Sequence, residues 1–300
     1  MKIFHLLVVA FLQGILPASA QDIDPPEQTQ NTQKIVWLYP DVPPFNIDQG
    51  PNRGKGSIDL IEMFLTNALP EYQHLRDVAS FVRTRNEIVA KDNICTAALL
   101  LYKDREAFIE YSIPYMVVLP VKLIIKKSDR YKVIPYLNQQ GQVDIQDLLF
   151  SGLFKLGVSK GRRYGNKNLD EVIQNPVKPN SIYIRHGTDQ LSGLLQMLTA
   201  VDRAIHGVLG YPDEAAYFSG QLDISMDSLE LFPIKDDPEY NSVHIGCSKK
   251  SALGKAIIAK LNPIIEANRR TLFLDFATMW LSDDFAQAQR RLTLKAFAAQ

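Results

Sequence analysis

Leu99 to Tyr115 reads Leu-Leu-Leu-Tyr-Lys-Asp-Arg-Glu-Ala-Phe-Ile-Glu-Tyr-Ser-Ile-Pro-Tyr. It opens as an apolar strand, breaks into a charged turn that carries Arg105, and runs through an aromatic segment to Pro114 and Tyr115. Arginine presents a flat fork of donors that fits a carboxylate bidentately, so a strand ending in a guanidinium beside a cleft suits capture of a small anion. The competing reading is a surface arginine paired with Asp104 or Glu106, an arrangement worth about 0–1 kcal/mol. The stretch by itself supports both readings equally.

Outward from this stretch, strand-like and helix-like runs alternate. Lys34 to Tyr39 reads as a strand, Ser57 to Leu69 as an amphipathic helix, and a second strand follows near Ala79. Arg83 to Lys91 is a short helix, Ile94 to Leu101 a strand, and Val117 to Lys126 a long apolar strand. Strands at Phe154–Ser159, Ser181–Ile184, His206–Leu209 and Val243–Cys247 alternate with helices near Asn168–Ile173, Gln190–Ala200, Pro212–Phe218 and Leu253–Ala267. More helix follows at Phe273–Leu281 and beyond Asp283. This alternation predicts an α/β fold with parallel sheets flanked by helices, and ligands in such folds sit outside the carboxyl ends of the strands. Two loop-like segments, Tyr115–Pro120 and Lys235–Asn241, bracket a middle third with its own β and α runs. That third reads as a second lobe inserted into the first.

The N-terminus reads as an export signal. Met1 and Lys2 precede an apolar run from Ile3 to Ile15, and Ala18-Ser19-Ala20 is a small-x-small cleavage site. The apolar run falls short of the roughly 20 residues a spanning helix needs. No Cys sits near the cleavage site, which argues against a lipid-attached form. Residues 21–32, rich in Gln, Asp and Pro, read as a disordered leader. What remains, roughly 270 residues, is enough for two compact lobes. With 33 basic and 33 acidic residues the chain is balanced, which gives no electrostatic footprint for nucleic acid or an anionic membrane. Cys95 and Cys247 are the two cysteines. Export permits a disulfide, and two separate buried thiols fit the same apolar surroundings. No C-x-x-C is present, so no metal or redox motif stands out.

Two loops invite sharper readings. Gly50-Pro51-Asn52-Arg53-Gly54-Lys55-Gly56-Ser57 is a near miss for a phosphate loop: the outer glycines are one residue too close, and Gly56 stands where a hydroxyl should hold magnesium. A flexible turn before a helix is the better reading. Gly157-Val158-Ser159-Lys160-Gly161 matches the nucleophile-elbow pattern of serine hydrolases. Its later histidines, His186, His206 and His244, sit in no motif, so a strand leading into an anion-seating loop is preferred. Phe45, after Pro43-Pro44, is either core or a cleft wall held by two stiff prolines.

Together these segments resemble the type II periplasmic solute-binding proteins of the polar amino-acid class, family 3. The resemblance covers about residues 34–280 and rests on four segments in order. They are Val42-Pro43-Pro44-Phe45 with Ile58-Asp59-Leu60, the opening stretch through Pro114-Tyr115, Gly157 to Gly161, and His206-Gly207-Val208-Leu209-Gly210-Tyr211 before Ala215-Ala216-Tyr217. It implies a two-lobed fold, two mainly parallel sheets joined by a two-segment hinge, with lobe 1 at 33–118 plus 242–300 and lobe 2 at 119–241. It further implies that Arg105 grips a ligand carboxylate and that Phe45 and Phe81 sandwich the ligand. Several positions depart from the family. Tyr102 replaces a threonine, Leu100 a small hydroxyl residue, Arg162 (followed by Arg163) another hydroxyl residue, and Tyr211 the acid that anchors an ammonium. Tyr39 replaces the acid of the first loop, and Glu214 is the nearest substitute for the one lost at Tyr211.

The expectation is therefore a periplasmic, monomeric, non-enzymatic binding protein without cofactor or metal. It captures a small anionic or aromatic compound for an ABC permease or a membrane sensor. The expected binding residues are Arg105, Phe45, Tyr39, Phe81, Tyr102, Gly161, Arg162, Tyr211 and Glu214. The alternatives are an enzyme on the same scaffold, dehydratase- or hydrolase-like, and a sensor component of a signalling system.

Overall fold

The computed structural model describes residues 33–187, 190–281 and 283–298. The expected signal at 1–20 and leader at 21–32 lie outside the described residues. The fold begins with β1 (Lys34–Tyr39), α1 (Ser57–Asn67), β2 (Gln73–Val78), α2 (Phe81–Ala90) and β3 (Ile94–Leu100). β1 pairs in parallel with both β2 and β3, so each helix is a crossover. Short strands β4 (Ile109–Tyr111) and β5 (Met116–Val118) follow.

The chain then enters a second sheet through β6 (Lys122–Lys126), α3 (Ile145–Phe150), β7 (Leu156–Ser159), α4 (Lys167–Gln174) and β8 (Ile182–Arg185). It continues with α5 (Gln190–Thr199), β9 (Gly207–Gly210), α6 (Pro212–Gln221) and β10 (Leu229–Pro233). It returns through β11 (Asn241–Ser248) and closes with α7 (Ala252–Asn268), α8 (Leu272–Thr278) and α9 (Asp283–Ala298). The first sheet runs β2-β1-β3-β11-β4 with β5 also on β11, and the second runs β10-β6-β9-β7-β8. The parallel character is held by β2-β1-β3 and by β9-β7-β8. The strands nearest the crossings, β11 and β6, run antiparallel to their neighbours. The result is the expected two-lobed α/β fold.

The single strand expected over Val117–Lys126 is instead β5 and β6, parted at Leu119-Pro120-Val121. Proline has no N–H to give a ladder, and the break is where the chain passes from one sheet to the other. Each lobe has an apolar interior. Ile61 and Leu65 of α1 and Ile257 and Leu261 of α7 are fully buried with Ile35 and Trp37 of β1. Leu191, Leu194, Leu195 and Leu198 recur along α5 at helical spacing and bury against Ile124 and Val208.

Cys95 and Cys247 face each other in register on β3 and β11 and form a disulfide, with Cα atoms 4.1 Å apart. α9 lies against both crossings. Its Ala296 and Phe297 bury with Val117 of β5 and Tyr240 beside β11, Gln289 donates to the Val117 carbonyl, and Lys295 pairs with Glu239 at 2.7 Å. Among the described residues no helix is long and apolar enough to cross a membrane.

Candidate functional site between the two sheets

Asp59 shapes the first wall. It is 3 % exposed, sits in the first turn of α1, and accepts from Gly56 N at 3.0 Å, Ile47 N at 2.8 Å and Asn46 Nδ2 at 2.8 Å. One carboxylate thus caps the helix and folds the preceding loop back on it. The loop contains the cis Pro43–Pro44 bond and presents Phe45. Phe45 O lies so near Gly56 that any Cβ there would meet it at 2.2 Å, so glycine is required. α2 supplies the second aromatic. Ser80 caps it by accepting from Arg83 N at 3.2 Å, and Phe81 is its first residue. Opposite, Gly161 has φ +75° and a Cβ on it would strike Val82 at 2.6 Å. Only glycine lets the loop after β7 come this close to α2.

Tyr102 and the turn Lys103–Arg105 follow β3. The Tyr102 hydroxyl donates to Asp170 Oδ2 at 2.9 Å and accepts from Gly165 N at 2.7 Å, tying the first half of the molecule to the second. Arg163 Cζ stacks 3.7 Å from the Tyr102 ring centroid and its Nη1 donates to both Asp104 oxygens at 3.0 and 2.9 Å. Asp104 is thereby committed to Arg163, and Arg105 has no carboxylate within ion-pair distance among the described residues. Arg105 lies half-buried over the Tyr102 ring at 5.0 Å. Burial pulls its pKa below the ordinary arginine value, and the charge of Arg163 adds to that. It stays a cation, short of a counter-charge.

Two adjoining cavities share Phe81, Ala98, Leu99, Leu100 and Arg163. The one at Arg105, with Thr84 and Arg85, holds about 600 Å³ of space open in part to solvent. The other, walled by Val42, Phe45, Ile58, Met116 and Tyr211, holds about 490 Å³. Arg85, Arg105, Arg162 and Arg163 line them, and among the described residues no Asp or Glu does.

Of the expected binding residues, Phe45, Phe81, Tyr102, Arg105, Gly161, Arg162 and Tyr211 line this space. Two do not. Tyr39 points away from it, with its hydroxyl donating to Asp48 at 2.7 Å and Arg76 stacked 3.8 Å from its ring. Glu214 is fully buried behind the wall, bonded to Arg162 and to Tyr211 N. Glu214 is therefore not presented to the cleft as a substitute acid, and Arg162 brings no unbalanced charge. Thr84, Arg85 and Arg163 were not expected in the lining; the two α2 residues carry no motif, whereas Arg163 follows directly on Arg162. Ser159 of the Gly-x-Ser-x-Gly pattern is buried at the end of β7, and no histidine bonds to its hydroxyl among the described residues. His206 accepts from Lys155 N and His244 faces the Ser112 carbonyl.

No protein-family model matches the chain, and no curated protein matches it in sequence. Solved structures do match. An amino acid ABC transporter substrate-binding protein from Streptococcus pneumoniae bound to L-arginine superposes with a TM-score of 0.56 at 16% identity, over 88% of this chain and 95% of its own. An ABC uptake transporter substrate-binding protein from the same organism with bound histidine gives 0.59 at 15%, over 85% and 95%. A Salmonella typhimurium periplasmic binding protein of high arginine specificity gives 0.56 at 14%, over 84% and 100%. The chain has the fold of the amino-acid substrate-binding proteins. The space just described is lined from both sheets, by residues at the ends of β1, β3, β7 and β9.

Proposed function

We propose that this is an extracytoplasmic solute-binding protein that captures a small carboxylate with an apolar or aromatic body, for ABC import or sensing, and that it is not an enzyme. The observation that carries the reading is the lining itself: four arginines, of which Arg85 and Arg105 have no ion-pair partner, and no carboxylate, among the described residues. A zwitterionic amino acid needs an anion grip and an ammonium grip. This cleft offers the first, and the acids behind its wall are already engaged, Glu214 by Arg162 and Asp104 by Arg163. Phe45, Phe81 and Tyr211 supply flat apolar walls for the rest of the ligand. Lobe 1 is 33–118 plus 242–300 and lobe 2 is 119–241, so a ligand touching both favours the closed arrangement. The closed form is what a permease or membrane sensor reads, and the N-terminal signal takes the chain to the periplasm.

Calorimetric titration of the mature protein with a panel of aromatic carboxylates, beginning with benzoate, and of ordinary amino acids tests this. Aromatic carboxylates are expected to bind, and Arg105→Ala to weaken them by about 2–3 kcal/mol, the value of a charge-assisted contact in a desolvated site. Micromolar binding of an ordinary amino acid, about −8 kcal/mol, would overturn the ligand class. Unchanged affinity in Arg105→Ala would remove that residue from the site.

A further inference from the structure

Arg162 is a cation the cleft wall already holds. Its Nη1 and Nη2 donate to Glu214 Oε1 and Oε2, each at 2.9 Å. Glu214 is fully buried and Arg162 is 8 % exposed. The guanidinium carbon lies 5.4 Å from the Tyr164 ring centroid and 5.3 Å from that of Tyr211. A carboxylate flanked by aromatic rings is an arrangement that binds guanidinium and ammonium groups. Tyr164 comes from the loop after β7, while Tyr211 and Glu214 come from the start of α6. The cage is thus built from two elements that flank the cavity, and the chain supplies its occupant from within. Burial by itself would push the Arg162 pKa down, but Glu214 overrides it and holds the pKa above the ordinary value.

We propose that Arg162 is a resident stand-in for a ligand cation: it fills the Glu214–Tyr164–Tyr211 cage and so restricts the cleft to ligands that lack ammonium or guanidinium. A ligand bringing its own cation must dislodge Arg162 from Glu214, which leaves a buried charge uncompensated. The inference deepens the carboxylate reading and rests on it for the identity of the natural ligand, but the cage can be tested by itself. Because Arg162 lines the cavity, truncating it opens the cage to the cleft.

The experiment uses the mature chain, Arg162→Ala, and the double variant Arg162→Ala/Glu214→Gln, with methylguanidinium chloride as probe at low millimolar concentration against equal sodium chloride. Arg162→Ala is expected to melt below wild type, and methylguanidinium to restore much of the loss while leaving wild type unmoved. By calorimetry the single variant binds methylguanidinium at least about tenfold more tightly than wild type, a difference of about 1.4 kcal/mol. The double variant, with both buried charges gone, does not respond. If the single variant does not accumulate in folded form, the same comparison is made on its refolding yield with and without the probe. A single variant that responds to methylguanidinium no more than to sodium chloride, or a double variant that responds as strongly as the single, overturns the proposal. Failure of Arg105→Ala to weaken benzoate would sink the carboxylate reading and leave this result standing.

Discussion

Arg76 is asked to balance two buried carboxylates. Asp59 and Glu62, both on α1 and almost wholly buried, meet the same guanidinium, Glu62 through Nε at 2.6 Å. The second Glu62 oxygen has no hydrogen-bond partner among the described residues. Burial pushes the Glu62 pKa up to about 7; Arg76 pulls against that rise and Asp59 adds to it. The folded chain therefore keeps a proton that the unfolded chain gives up near 4.5. A raised folded pKa means a stability contribution that is complete below the unfolded value and is lost as pH climbs through 7. Glu62→Gln is expected to flatten this part of the pH–stability curve, read by urea denaturation at a series of pH values; an unaltered slope would set Glu62 aside. The residue scale also shows what the sequence hides. Arg105, Phe45 and Phe81 stand beside local punctuation, a strand end, a proline pair and a helix start, which marks them as facing a cleft. Glu214 finds Arg162 52 positions away, and Tyr39 lies under Arg76, so nothing in their own neighbourhoods announces either partnership.

At the scale of elements, hydrophobic runs located most strands and helices to within a few residues, because each run has one face to bury. What they missed has a physical pattern. β4 is only Ile109–Tyr111, and β10 (Leu229–Pro233) is broken by Glu230 and ends on Pro233, so neither shows as a continuous apolar run. The run from Val117 to Lys126 is apolar on both sides of Pro120 apart from Lys122 and the closing Lys126, and so reads as one strand although it serves two sheets. α9 was legible as a helix, but its seat on the crossings was not, since Val117 and Tyr240 are remote from it in sequence. Phe297 is fully buried, with Arg269 stacked 4.4 Å from its ring. Phe297→Ala is expected to lower unfolding stability by about 3–5 kcal/mol, measured by denaturant titration. A loss well under 1 kcal/mol, roughly a surface substitution, would mean that α9 is not packed on the hinge strands.

At the scale of the molecule, the disulfide joins positions 152 residues apart. Closing a loop of that length removes enough unfolded-chain entropy to stabilise the fold by up to about 5 kcal/mol. Cys95→Ala/Cys247→Ala is expected to melt well below wild type, and wild type to approach it on reduction. Equal melting points with and without reductant, in a sample shown by mass spectrometry to be oxidised, would count against that contribution. The bond also changes what proteolysis can do. β4, β5 and the entire second sheet lie inside the closed loop. A protease that clips any exposed segment of the second lobe therefore makes a nick and not a release: both pieces stay on one molecule, with β3 and β11 still side by side. They part only under reductant and denaturant together.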